Sequence, residues 1–268
     1  GEVEVRQNCA HNPSIVLTEM IDDKGAGVRV TDFAPRFQNY GRTFRPPQII
    51  RIIEPIGGMP RVTIRFRTTH RYGEPVASRS SGSNHIRYWR DDVPVRLTTD
   101  APLSYVENEA SFILNRPVHM VFGTDEPFEG SLETTCRDFC ERTGDYWLEW
   151  VRRLAFSIDW QDEIIRAGIT LKLCSYEETG AIVAALTTSI PEVPKSGRNW
   201  DYRFCWMRDA FFVVRALNRI GATRTMEDFI SYILSVSAGR LGEVRPLYGV
   251  VHTDLIEERT APALSGYG

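Results

Sequence analysis

The chain is 268 residues long and carries 32 Lys and Arg against 35 Asp and Glu, a formal net charge of −3. With 42% hydrophobic and 25% charged residues it has the makeup of a globular protein, and its length suits two domains of ordinary size. A pI near 6.0 argues against nucleic acid as a partner, because such binders concentrate Lys and Arg; no apolar run approaches the roughly 20 residues of a membrane span, so no membrane partner is expected either.

Cysteines are few and odd in number. Cys9, Cys136, Cys140, Cys174 and Cys205 fall mostly in helical patterns, which points to free thiols and a reducing, cytoplasmic setting. Cys136 and Cys140 lie one helical turn apart, but no second Cys/His pair is near enough in sequence to complete four zinc ligands. His11, His70, His119 and His252 show no metal spacing, and no calcium-type loop of alternating acids is present. No metal or other cofactor is expected. The chain begins without Met in charged, strand-like sequence and stops in loop-like sequence, so both ends read as cut.

From residue 14 to about 121, short β-branched runs alternate with turn residues, the pattern of an all-β unit. Residues 14–18 and 28–33 flank Asp22-Asp23-Lys24-Gly25 and predict a hairpin. Residues 49–53 and 61–67 flank Gly57-Gly58-Met59-Pro60 and predict a second. The arginines of 61–67 share one face, either a binding stripe or, more simply, the solvated outside of a sheet. Residues 95–99 and 104–106 extend the strand series.

Near Leu132 the period changes from two to 3.6: Cys136, Cys140, Trp147, Trp150, Val151 and Leu154 recur at helical spacing and predict a long connecting helix. Further helices are expected over 160–174, 207–220 and 226–236, with Gly221 as the glycine that ends a helix. Residues 187–198, rich in turn formers, read as a loop. The fold class is therefore a β-domain over 1–130, a helical linker over 131–158 and a helical domain over 159–268.

The stretch Gly197-Arg198-Asn199-Trp200-Asp201-Tyr202-Arg203-Phe204-Cys205-Trp206-Met207-Arg208-Asp209-Ala210 mixes aromatic rings with an Arg-Asp pair at a helix start. Sugars suit such a mixture: C–H patches lie on rings, while hydroxyls pair with the guanidinium fork and the carboxylate. The plainer alternative makes Trp200, Phe204 and Trp206 core and Arg208 with Asp209 a local ion pair.

This run closely resembles the first signature of bacterial members of glycoside hydrolase family 15, whose members include glucoamylase-, glucodextranase- and trehalase-like enzymes. Thr31-Asp32-Phe33-Ala34-Pro35-Arg36-Phe37, Gly82-Ser83-Asn84-His85-Ile86, Thr187-Thr188-Ser189-Ile190-Pro191-Glu192 and Leu264-Ser265-Gly266-Tyr267 also look like that family, so the likeness covers nearly the whole chain as its N-terminal portion. The resemblance implies an antiparallel β-sandwich, a helical linker and the first part of an (α/α)6 barrel. It makes Arg208 and Asp209 the pair that grips the non-reducing glucose, puts Tyr202 beside the scissile bond and gives Trp200 and Trp206 the pocket wall; His85 is a candidate loop contact, or an interdomain hydrogen bond.

Family members invert the anomeric centre with two glutamates, which the resemblance puts beyond Gly268. Twelve helices of about 11 to 12 residues need well over 200 residues, and only about 110 follow the linker. No catalytic pair is therefore expected within the chain: Glu177-Glu178 and Glu257-Glu258 are sequence neighbours whose side chains diverge, and Glu192 is at most a supporting residue behind the site. The implied activity is hydrolysis of α-linked glucosides (maltooligosaccharides, trehalose or isomaltooligosaccharides) by a longer protein, with the remainder of the barrel or another chain covering the helices. The alternative is a non-enzymatic carbohydrate-binding or scaffold protein.

Overall fold

The computed structural model describes residues 3–9, 14–90, 93–155, 157–188, 193–195, 199–238, 245–251 and 256–264. The chain divides into two compact units, Gly1–Glu149 and Trp150–Gly268.

In chain order the first unit runs β1 (Val3–Cys9), β2 (Ile15–Asp22), β3 (Gly27–Phe33), β4 (Phe37–Asn39), β5 (Arg42–Phe44) and β6 (Ile49–Ile56). Then come β7 (Arg61–Val62), β8 (Thr69–His70), β9 (Glu74–Pro75), β10 (Ser78–Ser81), β11 (His85–Arg90) and β12 (Val93–Thr99). Helix α1 (Leu103–Glu107), β13 (Phe112–Ile113), β14 (Val118–Thr124) and α2 (Leu132–Arg152) follow, the last turn of α2 belonging to the second unit. Eight strands form one antiparallel sheet in the order β1-β2-β3-β6-β14-β12-β11-β10.

The first predicted hairpin forms as β2 and β3, in register Glu19↔Arg29. Its turn is fixed by Asp22, whose Oδ1 accepts the N–H of Lys24 and of Ala26, both at 2.9 Å, with Gly25 at φ +82°. The second does not form: β7 is two residues long and pairs with β13, not with β6. Burial still alternates there, with Ile64 in the core and Arg61, Arg65 and Arg67 outside. The period of two was read correctly, but it reports which side faces the core and not which strand is the neighbour. Residues 104–106, expected as strand, lie in α1; Pro102 precedes that helix and its carbonyl accepts from the N–H of Tyr105.

Both faces of the sheet are buried. On one, Val28, Val30, Ile53, Ile86, Tyr88, Val95, Leu97 and Met120 pack with residues from 62–66 and 101–114. On the other, Ile15, Phe33, Ile50, Ile52 and Val121 pack with Leu132, Cys136, Phe139 and Cys140 of α2. Each fully buried aliphatic side chain among these contributes about 1.5–3 kcal/mol. The run 31–37 is where α2 attaches. Asp32 holds Arg51 across the sheet with two bonds of 2.7 and 2.8 Å. The N–H of Arg36 donates to Thr143 Oγ1 at 3.1 Å, its guanidinium lies over Tyr146 and Trp147, and Arg142 lies 3.8 Å from the ring centre of Phe37.

The second unit contains α3 (Gln161–Leu173), β15 (Ser175–Tyr176), β16 (Ala181–Ile182), β17 (Cys205–Trp206), α4 (Met207–Arg219), α5 (Thr223–Ser237) and β18 (Leu247–Tyr248). The three helices fall where the 3.6-residue period puts them. Gly221, at φ +83°, follows the last residue of α4's cap. The ladders β15–β16 and β17–β18 have no counterpart in the sequence reading, since two-residue strands carry no readable alternation.

One buried pair in the first unit makes its stability depend on acid. His119 is 1% exposed; its backbone N–H and its Nδ1 donate to the two oxygens of Asp100, each at 2.7 Å. Burial pushes the Asp100 carboxyl up, but the bonds from His119 outweigh it and hold the group below its ordinary value. A carboxyl depressed in the folded state stabilises above its unfolded pKa, about 4, and loses that contribution as pH falls through the folded value. Asp100→Ala should lower unfolding stability by about 2 kcal/mol at pH 7, and denaturant titrations should show the gap from wild type closing below about pH 4.

Candidate active-site segment

The segment starts from the packing of α4. Ala210 and Leu217 are buried, and Ala210, Val213 and Val214 cluster with Ala181, Ile182, Cys205, Phe229 and Tyr232. That stripe uses the side of the helix facing α3 and α5, so Arg208 and Asp209 in the first turn fall off it. Arg208 has 84% of its side chain exposed and Asp209 41%. Their closest approach is 3.9 Å, too long for a hydrogen bond, and among the described residues neither side chain makes one. Asp209 occupies the third helical position, where a carboxylate is favoured by the helix dipole, yet α4 has no side-chain cap bond. The local ion pair of the plainer reading is thus loose and solvated, and both groups keep their bonding capacity.

Residues 199–206 run back along 184–188. Tyr202 N–H donates to Thr187 O at 3.2 Å, Ala185 N–H to Tyr202 O at 2.9 Å and Ala184 N–H to Phe204 O at 3.2 Å. Asp201 folds the turn: its Oδ1 accepts the N–H and Nε of Arg203 at 3.0 and 2.9 Å, and its Oδ2 accepts the terminal nitrogen at 2.7 Å. Asp201 O takes the indole N–H of Trp206 at 3.3 Å. Trp200 and Trp206 meet edge to face, 5.7 Å between centroids, with Trp200 40% exposed. These rings are not core.

Trp200, Tyr202, Trp206, Arg208 and Asp209 therefore share one short stretch of the second unit. His85 belongs to the first, where it opens β11; its ring fills the space beside Gly82, and its Nδ1 lies 3.2 Å from Asn84 Oδ1. Burial, then Arg96 and Arg87, hold its pKa below the ordinary value. Residues 189–192, Glu192 among them, and 196–198 of the loop, with His11, His252 and most of the closing Leu264–Tyr267 run, lie outside the described residues. Glu177 bonds Lys172 at 2.5 Å. Among the described residues no three His, Cys, Asp or Glu side chains gather as a metal site needs.

The five cysteines are free. Cys136 is buried in α2, its thiol pushed up to about 12 by burial; burial also raises Cys140, Cys174 and Cys205, so none of the four is poised as a nucleophile. The sequence reading passed over Asp201 and Arg203, although Asp two residues before Arg in a turn is a visible signal. It also missed Tyr232 and Pro246, for which no local signal exists.

Residues 161–267 match the sequence model described as "Glycosyl hydrolases family 15". The resemblance read from the signature is matched over that region, which holds α3 to α5 and the aromatic loop. Over 270 residues it is 28% identical to the "Trehalase" of Thermoplasma volcanium, covering 96% of this chain and 42% of that protein. It is 40% identical over 130 residues to the "Trehalase" of Mycolicibacterium smegmatis, 47% of this chain and 20% of the relative. A "Trehalase" of Mycobacterium tuberculosis is 38% identical over 130 residues, 47% of this chain and 19% of the relative. The chain spans only about two fifths of the length of the Thermoplasma relative. No solved structure matches significantly.

Because Arg208 and Asp209 make no side-chain hydrogen bond among the described residues, Arg208→Ala and Asp209→Ala should each leave thermal stability within about 1 kcal/mol of wild type. Gly180→Ala should behave oppositely. At φ +84° its Cβ would lie 2.1 Å from the Asp228 carbonyl oxygen, so the same melting experiment should show a loss of more than about 2 kcal/mol.

Proposed function

We propose that the longer protein carrying this chain hydrolyses α-glucosides, trehalose first among them, and releases glucose with inversion at the anomeric carbon. The observation that carries this reading is the Arg208–Asp209 pair, which makes no side-chain hydrogen bond among the described residues, beside the edge-to-face Trp200–Trp206 rings, inside the stretch that matches the family. Arg208 and Asp209 grip hydroxyls of the non-reducing glucose, Tyr202 stands by the scissile bond, the tryptophans wall the subsite, and His85 is the candidate loop contact.

Inversion needs an acid to protonate the leaving oxygen and a base to activate water, roughly 6.5–9.5 Å apart. We assign these to glutamates encoded after Gly268, in a scheme of β-sandwich (1–130), linker (131–158) and partial (α/α)6 barrel (159–268). On this scheme the isolated chain binds glucose weakly and does not hydrolyse. The exposure of Phe211, Phe212, Ile230 and Leu234 on α4 and α5 supports a cover supplied by the remainder of the barrel or another chain. The free thiols support a cytoplasmic setting, and among the described residues no helix is long and apolar enough to cross a membrane.

The test is hydrolysis of trehalose, maltooligosaccharides and isomaltooligosaccharides by the full-length protein, with product anomers followed by NMR. Inversion of trehalose yields equal α- and β-glucose, whereas α-glucose alone overturns the mechanism. Asp209→Ala should lower kcat/KM by about 10- to 10²-fold, the worth of a bond to a charged group. A protein that hydrolyses nothing yet binds trehalose equally well by calorimetry after Tyr202, Arg208 and Asp209 are replaced is instead a carbohydrate-binding module.

A further inference from the structure

The turn bearing Trp206, Arg208 and Asp209 is held by very little sheet. Strands β17 and β18 share two residue pairs, Cys205↔Tyr248 and Trp206↔Leu247, and a ladder that short does not fix its own register. Cys205 points into the core, fully buried, which by alternation turns Trp206 to the other side. A slip of one residue would bury Trp206 and carry Arg208 and Asp209 with it.

Beneath the ladder lies Tyr232 of α5, 3% exposed. Its hydroxyl donates to Gly249 O at 2.7 Å, one residue past β18. The same side chain lies in one buried cluster with Cys205 of β17. Burial raises the titration of the phenol, which keeps its proton in place for the bond to Gly249. One side chain thereby serves both strands, packing in the cluster of Cys205 and bonding the residue after β18. Further ties hold the same segment: Met207 N–H donates to Pro246 O at 3.1 Å, and Thr179 Oγ1 to Val250 O at 2.6 Å.

We propose that Tyr232 is a positioning residue for the sugar subsite: packed in the cluster of Cys205 and bonded to Gly249, it braces the ladder and sets the register from which Trp206, Arg208 and Asp209 are directed. This rests on the reading of that pair as the glucose grip, and it concerns a residue that touches no substrate.

The experiment compares Tyr232→Phe and Phe229→Leu in the full-length protein. Tyr232→Phe keeps the ring on its stacked neighbour Phe229 and deletes the brace. Phe229→Leu loosens the same core and leaves the brace. Two readouts apply: KM and kcat for trehalose, and amide exchange across 205–209. Tyr232→Phe should raise KM about tenfold, the equivalent of one hydrogen bond's worth of positioning, with kcat within about threefold, and speed exchange at 205–209 by a similar factor. Phe229→Leu should lower the melting temperature while leaving both readouts within about twofold. Should Tyr232→Phe not fold, Cys205→Ala takes away the packing on the other strand and should shift both readouts in the same direction.

Wild-type exchange and wild-type KM in the brace variants would overturn the proposal, as would equal shifts in Phe229→Leu. If Asp209→Ala leaves KM untouched, the subsite reading fails instead, and exchange at 205–209 still decides whether the brace exists.

Discussion

A helix begins with N–H groups that have no partner inside it, and in α4 the first of these, that of Met207, is taken by the carbonyl of Pro246. That bond decides where the helix starts, and so where its first-turn side chains emerge. Met207 follows the two residues of β17 without a linker. Strand register and helix start are therefore one constraint. The exposure of Arg208 and Asp209, the edge-to-face tryptophans and the buried Cys205 follow from it.

The helices were legible because their apolar spacing is dense. Ile165 and Ile169, then Ala210 and Leu217, are buried as a 3.6-residue period requires, and Gly221 marks an end that only a residue tolerant of positive φ takes without strain. The strands were legible as faces and less so as partners. Ile64 and its flanking arginines show the right alternation in a segment that joins no large sheet, because pairing is decided by residues far away, here Phe112 and Ile113. The alternation of 104–106 was lost to Pro102, which suits the start of a helix.

The site was legible as composition more than as geometry. Arg and Asp next to tryptophans suggested sugar chemistry, and the loose 3.9 Å separation leaves both groups available for it. What kept them in place was not readable: Tyr232 and Pro246 stand 24 and 38 positions after Arg208 and look like ordinary core and loop residues. The run 31–37 taught the converse. It shares the family's look, but its Asp32, Arg36 and Phe37 fasten α2 to the sheet, so family likeness there records assembly and not chemistry.

Burial on both sides of the large sheet has an effect on how this protein can change. In a sheet wet on one side, every second position can drift to any polar residue. In β6, Ile50 and Ile52 serve one layer and Ile53 the other, so adjacent positions answer to different neighbours and neither set is free. Tolerance must concentrate at the rim: β1 is exposed along its whole length, and its alternating Glu4 and Arg6 guard an open edge against stray pairing. Divergence among related chains should accumulate at that border and spare the central strands.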